Sequence, residues 1–319
     1  MVRGIVRLAA PSLAVFFRLL VTTIVVVLGG DCVSAQSDAK GAETRESDRV
    51  EQLSRLAESF LGENGGDRFF YFPTKDQPYT PAKYGYKYED VFFKSSDGTR
   101  LHGWFMPSTK GVELAKGTVV FSHGNTGSLA HHLGFVAWLM RSNYNVLLYD
   151  YRGFGRSDGK ASRKGIIEDV QAAFSYIHTR KDVDASKIVS FAHSLGGAKS
   201  IVALALKPVK GVRAVIVHGT FASYRDMARQ KAGELGAKLT SDELSAIDYV
   251  KKLAPVPMLF IHGENDKIVP FSQGLKLFEK AEGPKTLFRV PNGLHSNSLR
   301  LNRLEYRKKM LMWLDEKMG

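Results

Sequence analysis

Three residues with side chains suited to acyl transfer stand in separate turns of the sequence. Ser194 lies in the run Ala-His-Ser-Leu-Gly-Gly, Asp266 ends the run Gly-Glu-Asn-Asp, and His295 ends the run Gly-Leu-His. Serine is a poor nucleophile until a base takes its proton, and that base needs a buried acid to hold it in one tautomer. The sequence therefore predicts Ser194 as nucleophile, His295 as base and Asp266 as the acid that orients the base.

Each of these assignments competes with a simpler interpretation. Ser194 could be the N-cap of an ordinary helix, because a small residue two before and a glycine two after a serine recur by chance. Ala192 also stands where a glycine is usual in a nucleophile turn. Glu264 is the alternative acid, but it stands at the start of its turn. His295 is the histidine that follows the last predicted strand, which favours it over the other eight.

Short apolar runs that alternate with helical patterns predict the sheet that positions these turns. The runs are 91–93, 101–106, 118–121, 146–149, 188–191, 214–217, 258–261 and 286–290. Runs that are apolar on both faces are typical of strands buried in a parallel sheet. A turn at 96–99 joins the first two runs as a hairpin, and helical patterns cover 166–177 and 198–206. The prediction is an α/β fold, a mostly parallel sheet with an N-terminal antiparallel hairpin and helices on both faces. Ligands bind beyond the carboxyl ends of such strands, where all three candidate residues fall.

The segment 221–254 predicts a short helical cap over the site, because its length of about 34 residues exceeds that of a usual crossover. A returning helix is predicted over 246–253. The cap carries many charged and few large apolar side chains, which favours a shallow, partly open site.

The run Phe-Ser-His-Gly-Asn-Thr-Gly at 121–127 resembles the His-Gly-x oxyanion turn of the α/β-hydrolase superfamily. The runs at 150–157 (Asp-Tyr-Arg-Gly-Phe-Gly-Arg-Ser) and 266–270 also resemble that family. The resemblance extends from about Phe69 to the C-terminus and is greatest to the small-capped esterase and serine-peptidase-like branches. It implies an α/β-hydrolase fold and an oxyanion hole formed by the backbone N–H groups of Asn125 and Leu195.

Together these features predict a serine hydrolase that forms an acyl-enzyme and cleaves carboxylic esters with short to medium acyl chains, as oxygen esters or thioesters. A serine peptidase or amidase is the alternative, because the same triad attacks both kinds of bond. A dehalogenase or epoxide hydrolase would need a carboxylate in place of Ser194. A non-catalytic binding protein on this fold would be expected to lack a member of the triad.

The net charge of +13 raises the question of nucleic-acid or membrane binding. The basic residues are scattered and are not interleaved with aromatic residues, so we expect no nucleic-acid partner. We also expect no cofactor and no metal, because the chain lacks a suitably spaced glycine-rich phosphate loop and a histidine–carboxylate cluster. The expected partner is a small-molecule acyl substrate.

The first 35 residues predict an export signal. Arg3, Arg7 and Arg18 precede or enter an apolar region whose run 19–30 is short for a membrane span, and Val-Ser-Ala at 33–35 resembles a cleavage site. The alternative is an uncleaved anchor over 8–30, in which Arg18 would be costly.

The predicted organisation is therefore a signal peptide or membrane anchor (1–35), a polar linker with a short helix (36–66) and an α/β-hydrolase domain (67–319) with the cap insertion 221–254. The expected location is periplasmic or secreted after cleavage, or membrane-anchored and facing outside. Cleavage after Ala35 would remove Cys32, the single cysteine, so that the mature chain would have no disulfide.

Overall fold

The computed structural model describes residues 69–319, and every structural statement below concerns that range. The predicted signal or anchor (1–35) and the predicted linker with its short helix (36–66) lie outside the described residues.

The strands of residues 69–319 form an eight-stranded sheet and a two-stranded sheet. They are β1 (Phe72–Pro73), β2 (Glu89–Lys94), β3 (Arg100–Met106), β4 (Thr118–Ser122), β5 (Thr126–Gly127), β6 (Asn145–Tyr149), β7 (Ile188–His193), β8 (Val212–His218), β9 (Met258–Gly263) and β10 (Lys285–Val290). The large sheet has the order β10-β9-β8-β7-β4-β6-β3-β2, and β1 pairs with β5 in the small one. β3 is antiparallel to both of its neighbours, and the other pairs are parallel. The predicted mostly parallel sheet with an N-terminal hairpin is therefore confirmed.

Helices cover both faces of the large sheet, as predicted. They are α1 (Leu129–Arg141), α2 (Arg163–Thr179), α3 (Leu195–Leu206), α4 (Tyr224–Leu239), α5 (Phe271–Lys280) and α6 (Glu305–Met318). α1 and α6 pack on one face, and α2 and α3 pack on the other. Among residues 69–319, no helix has both the length and the apolar character that a membrane crossing requires.

The central strands are apolar on both faces because each face meets a helical layer. In β4, Val119 and Phe121 pack toward α1 and α6, whereas Val120 packs toward α2 and α3. This alternation follows from the two-residue period of side chains along a strand. Every residue of β4, β6 and β7 is buried, so these strands are fixed from both sides and hold the turns that follow them.

The path of the chain through the sheet reverses at β4. α1 leads from β4 to β6 on one side of it, and α2 leads from β6 to β7 on the other side. In an open α/β sheet such a reversal leaves a crevice beyond the carboxyl ends of the two flanking strands. The turns after β4 and β7, which contain Asn125 and Ser194, border this crevice.

The segment 221–254 contains one α-helix, α4, which forms the predicted cap. α4 lies over the crevice and is interrupted by non-helical backbone at Ala232 and Gly233. The predicted returning helix over 246–253 is wrong, because this stretch forms two 3-10 turns, Ala246–Asp248 and Val250–Leu253. Val250 and Leu253 are both buried against the core, and their spacing of three residues suits the 3-10 repeat.

Candidate active site

Ser194 occupies a strained turn between β7 and α3. Its backbone has φ 54° and ψ −120°, a region that non-glycine residues rarely adopt, and its N–H donates to the carbonyl oxygen of His218 at 2.9 Å. Strain of this kind costs roughly 1–3 kcal/mol and persists where the surrounding structure enforces it. Here the turn places the side chain at the carboxyl end of a central strand, where it borders a cavity.

Two glycines allow α3 to approach the sheet closely enough for this turn to form. A Cβ atom at Gly196 would collide with the carbonyl oxygens of Ser122 and His123, and one at Gly197 would collide with the side chain of Thr220. Ala192, which replaces the usual first glycine, is fully buried and keeps regular pairing in β7. The turn therefore forms with alanine at this position.

We expect Gly196→Ala to lower the free energy of unfolding by about 2–3 kcal/mol and to reduce activity, because its new methyl group has no room between α3 and β4. Chemical denaturation monitored by circular dichroism measures the change. Gly85→Ala is the matched control: its backbone is left-handed at φ 76° and ψ 16°, but a Cβ atom at this position would have no other atom within 4 Å. The control should cost only about 1 kcal/mol for its backbone conformation. Equal losses in the two variants would show that close packing at Gly196 is unimportant.

His295 follows β10 and contacts the carboxylate predicted to orient it. The Nδ1 atom of His295 lies 2.7 Å from Oδ2 of Asp266, and the His295 side chain is 11% exposed while that of Asp266 is fully buried. The other carboxylate oxygen, Oδ1, accepts the backbone N–H groups of Ile268 and Val269, each at 2.9 Å. Asp266 is therefore fixed by its own turn, and it fixes one nitrogen of the imidazole.

The loops that carry Asp266 and His295 pack directly on each other. The backbone N–H of Asn265 donates to the carbonyl oxygen of Gly293 at 2.9 Å, and a Cβ at Gly263 would collide with the backbone of Gly293. Glu264, the alternative acid, forms an ion pair with Arg289. The structure thus places Asp266, and not Glu264, against His295.

His262 also contacts the carboxylate of Asp266, a role that the sequence did not indicate. Its Nε2 atom lies 2.9 Å from the carbonyl oxygen of Val269 and 3.4 Å from Oδ2 of Asp266. Burial by itself raises the pKa of Asp266, but hydrogen bonding from His262 and His295 outweighs it and holds the pKa below the usual aspartate value. Asp266 is therefore ionised at neutral pH. His262 belongs to the same strand end as Asp266, but spacing along the chain does not indicate how its side chain is oriented.

Several hydrogen bonds hold the turn at 121–127 beside Ser194. Tyr151 donates its hydroxyl to the carbonyl oxygen of His123 at 2.9 Å, and the N–H of Phe72 in β1 donates to the carbonyl oxygen of Asn125 at 2.8 Å. Asn125 and Leu195 line the same cavity as Ser194. Leu195 is the first residue of α3, where a backbone N–H has no partner within the helix.

The cavity that these residues border has a volume of about 620 Å³. Much of its lining is aromatic or aliphatic and comes from the start of the described chain, α1, the cap and the turn after Asp266: Phe69, Phe70, Phe72, Phe135, Phe221, Met227, Leu239 and Ile268. The cap supplies only part of this surface. The cavity is therefore more apolar than the composition of 221–254 alone suggested.

Neutral imidazole rings pack around the nucleophile. The ring centroid of His193 lies 4.7 Å from that of His295, 4.4 Å from that of Phe135 and 4.9 Å from that of His218. Burial lowers the pKa of His218 to about 3 and also lowers the pKa of His193 well below its usual value. These rings remain uncharged at neutral pH and act as aromatic packing beside His295. Within the described range, no group of three or more histidine, cysteine or acidic side chains is arranged to hold a metal ion.

Relatives of this chain occur among known families and proteins. Residues 113–249 match the family model described as serine aminopeptidase, S33. The chain is 39% identical over 228 residues to the uncharacterized protein YfhR of Escherichia coli K12, covering 71% of this chain and 79% of YfhR. It is 34% identical over 264 residues to the alpha/beta hydrolase domain-containing protein WAV2 of Arabidopsis thaliana, covering 76% of this chain and 83% of WAV2.

Solved structures share the fold at low sequence identity. The Pyrococcus furiosus esterase Pf2001 aligns with a TM-score of 0.66 at 20% identity, over 78% of this chain and 99% of the esterase. The Pyrococcus horikoshii acylaminoacyl peptidase aligns with a TM-score of 0.59 at 18% identity, over 73% of this chain and 42% of the peptidase. The fold is thus shared with structures described as esterases and as a peptidase.

Proposed function

The chain belongs to the α/β-hydrolase superfamily, and we propose that it is a serine hydrolase that cleaves carboxylic esters. The observation that carries this proposal is the convergence of Ser194, His295 and the turn containing Asn125 on one cavity, with Asp266 bonded to the far side of His295. Turns that follow β4, β7, β9 and β10 supply these residues, although they are far apart in the chain.

In the proposed reaction, Oγ of Ser194 attacks the acyl carbon while Nε2 of His295 takes the hydroxyl proton. Asp266 holds Nδ1–H of His295 and stabilises the imidazolium that forms. The backbone N–H groups of Asn125 and Leu195 donate to the oxyanion. His295 then gives its proton to the leaving alkoxide or thiolate, leaving the acyl group on Ser194. A water molecule, deprotonated by His295, repeats the sequence and releases the carboxylic acid and free Ser194.

The lining of the cavity favours esters over the free N-termini of peptides. An aminopeptidase substrate carries an ammonium group, which a carboxylate in the site would normally bind. Among residues 69–319, the charged side chains lining the cavity are Lys231 and Arg300, and no aspartate or glutamate lines it. Cationic side chains repel an ammonium group. Cleavage of blocked amides remains the second candidate, because the matching family model is described as serine aminopeptidase.

A purified sample tests the proposal through fluorophosphonate labelling, followed by kinetics on p-nitrophenyl esters of graded chain length and on aminoacyl amides. We expect labelling, and a specificity constant for the best ester above that for any amide of comparable size. A higher value for an aminoacyl amide would replace the ester assignment with a peptidase one. If the protein were neither labelled nor able to hydrolyse any of these substrates, the proposed serine hydrolase function would be rejected.

We further expect short to medium acyl chains to be preferred and the cap to set the upper limit. Ala228 lines the cavity from α4, so Ala228→Phe should fill acyl space and lower the ratio of kcat/KM for the octanoyl over the acetyl ester by about tenfold. Gln230→Phe is the matched control, because Gln230 is exposed on the same helix and does not line the cavity. A ratio that falls equally in both variants would show that the cap does not hold the acyl chain.

A further inference from the structure

Among residues 69–319, the charged or titratable side chains that line the cavity near its cap are basic. Lys231 comes from the cap helix α4, and Arg300 comes from the 3-10 turn Ser298–Arg300 that follows the His295 loop. His131 of α1 also lines the cavity. Its Nε2 atom lies 3.7 Å from Oδ2 of Asp76, whose side chain is mostly exposed. The other lining residues within 69–319 include no aspartate or glutamate, so the lysine and the arginine could attract an anion.

Lys231 and Arg300 have no acidic partner among residues 69–319, unlike some of the cations near them. Within the described part of the chain, neither side chain forms a hydrogen bond or an ion pair. In contrast, the guanidinium of Arg229 forms ion pairs with Asp226 at 2.8 Å and with Glu234 at 2.7 Å. The ammonium group of Lys276 in α5 forms an ion pair with Asp226 at 2.6 Å. Lys238 of α4 also forms no ion pair within residues 69–319, so Lys231 and Arg300 differ from it in lining the cavity.

The guanidinium of Arg300 lies beside a glycine of α1. A Cβ atom at Gly134 of α1 would lie 2.7 Å from a terminal nitrogen of the Arg300 guanidinium. The guanidinium lies against α1, and it is close enough to Arg307 to lower the pKa of that residue, although burial of Arg307 contributes more.

We propose that the ester substrate carries an anionic group, a carboxylate or a phosphate, which Lys231 and Arg300 bind at the cavity. This inference rests on the proposed serine hydrolase function. A guanidinium matches the paired oxygens of either anion, and a lysine on the cap helix adds a second positive charge. Both residues are exposed where they line the cavity, so solvent screens their attraction for an anion and its effect should be modest. The substrate is thus an acyl ester with an apolar acyl portion and one negatively charged end.

The test compares anionic and neutral esters of similar length. One pair is mono-4-nitrophenyl suberate against 4-nitrophenyl octanoate, which places the charge on the acyl side. The other pair is the octanoyl ester of 4-hydroxy-3-nitrobenzoate against 4-nitrophenyl octanoate, which places it on the alcohol side. The readout is the ratio of kcat/KM for the anionic over the neutral ester, because differences in intrinsic reactivity cancel between wild type and variant.

We expect Lys231→Gln and Arg300→Gln each to lower this ratio by about fivefold for at least one pair. Raising NaCl from about 0.05 M to about 0.5 M should lower the wild-type ratio as well. Lys238→Gln is the matched control, since Lys238 is exposed on the cap helix and does not line the cavity.

Ratios that stay at the wild-type value in both charge variants, for both pairs, would overturn the anionic substrate while leaving ester hydrolysis in place. An equal fall in Lys238→Gln would attribute the effect to overall charge and would also overturn it. Loss of hydrolysis and of fluorophosphonate labelling in the wild-type protein would instead remove the proposed function, and this inference with it.

Discussion

Replacing Ser194 with alanine is expected to abolish fluorophosphonate labelling and to lower kcat for esters by on the order of 10⁴- to 10⁶-fold. The Oγ atom forms the acyl bond in the proposed reaction, and removing it leaves only the oxyanion donors and substrate binding. The substitution removes one oxygen and leaves the Cβ in place. The backbone hydrogen bond from residue 194 to the carbonyl oxygen of His218 does not involve the lost atom, so the fold should be retained.

Ser296 provides a matched control for the nucleophile. It lines the same cavity, is adjacent to His295 and is exposed. Ser296→Ala should keep labelling and should change kcat by less than about threefold, because its hydroxyl has no part in the proposed chemistry. Intact-mass spectrometry after labelling shows directly whether each variant has gained the mass of the label. Continued labelling of Ser194→Ala, or its loss in Ser296→Ala, would move the nucleophile away from Ser194.

The positions of the three candidate side chains could be predicted because strand ends constrain them. Ser194, Asp266 and His295 each follow an apolar run, and the carboxyl ends of parallel strands meet along one edge of a sheet. Knowledge of the strands and their direction was therefore enough to expect these residues near one another. The assignment of Asp266 as the acid requires a hydrogen bond to His295, and Nδ1 of His295 lies 2.7 Å from Oδ2 of Asp266.

The lining of the cavity could not be predicted in the same way. Phe70 and Phe72 reach it from a segment whose short strand β1 pairs with β5 over only two residues, which is too short to produce a recognisable alternation. Phe135 reaches it from α1, where its spacing is equally consistent with a core position. Side-chain direction at such places is decided by tertiary packing, which sequence periodicity does not report.

The segment 246–253 shows a different limit. Its apolar residues recur at three- and four-residue intervals, so the pattern fits both an α-helix and 3-10 turns. Isolated stretches of this length are marginal as α-helices, and tertiary contacts decide the form they take. Burial of Ala246, Val250 and Leu253 against the core holds the segment in two 3-10 turns beside α3, instead of in the cap.

Asp266→Asn is expected to lower kcat/KM by about 10³- to 10⁴-fold, and His295→Ala by at least as much. In the wild-type protein the carboxylate accepts Nδ1–H of His295, which leaves Nε2 unprotonated and able to take the serine proton. An asparagine can keep accepting the N–H groups of Ile268 and Val269 through its oxygen, which turns its NH₂ group toward His295. That donor would favour the tautomer with the proton on Nε2, which cannot act as the base.

Glu264→Gln distinguishes this mechanism from a general effect of charge near the base. It removes one negative charge two residues from Asp266, but Glu264 pairs with Arg289 and not with His295. We expect kcat/KM to change by less than about threefold, and thermal unfolding should show that all of these variants are folded. If Glu264→Gln were more damaging than Asp266→Asn, the acid would have to be reassigned to Glu264. The loop between β9 and α5 would then have to rearrange during the reaction. In the structure, Oδ2 of Asp266 contacts the imidazole of His295, and Oδ1 is held by two backbone N–H groups of its own turn.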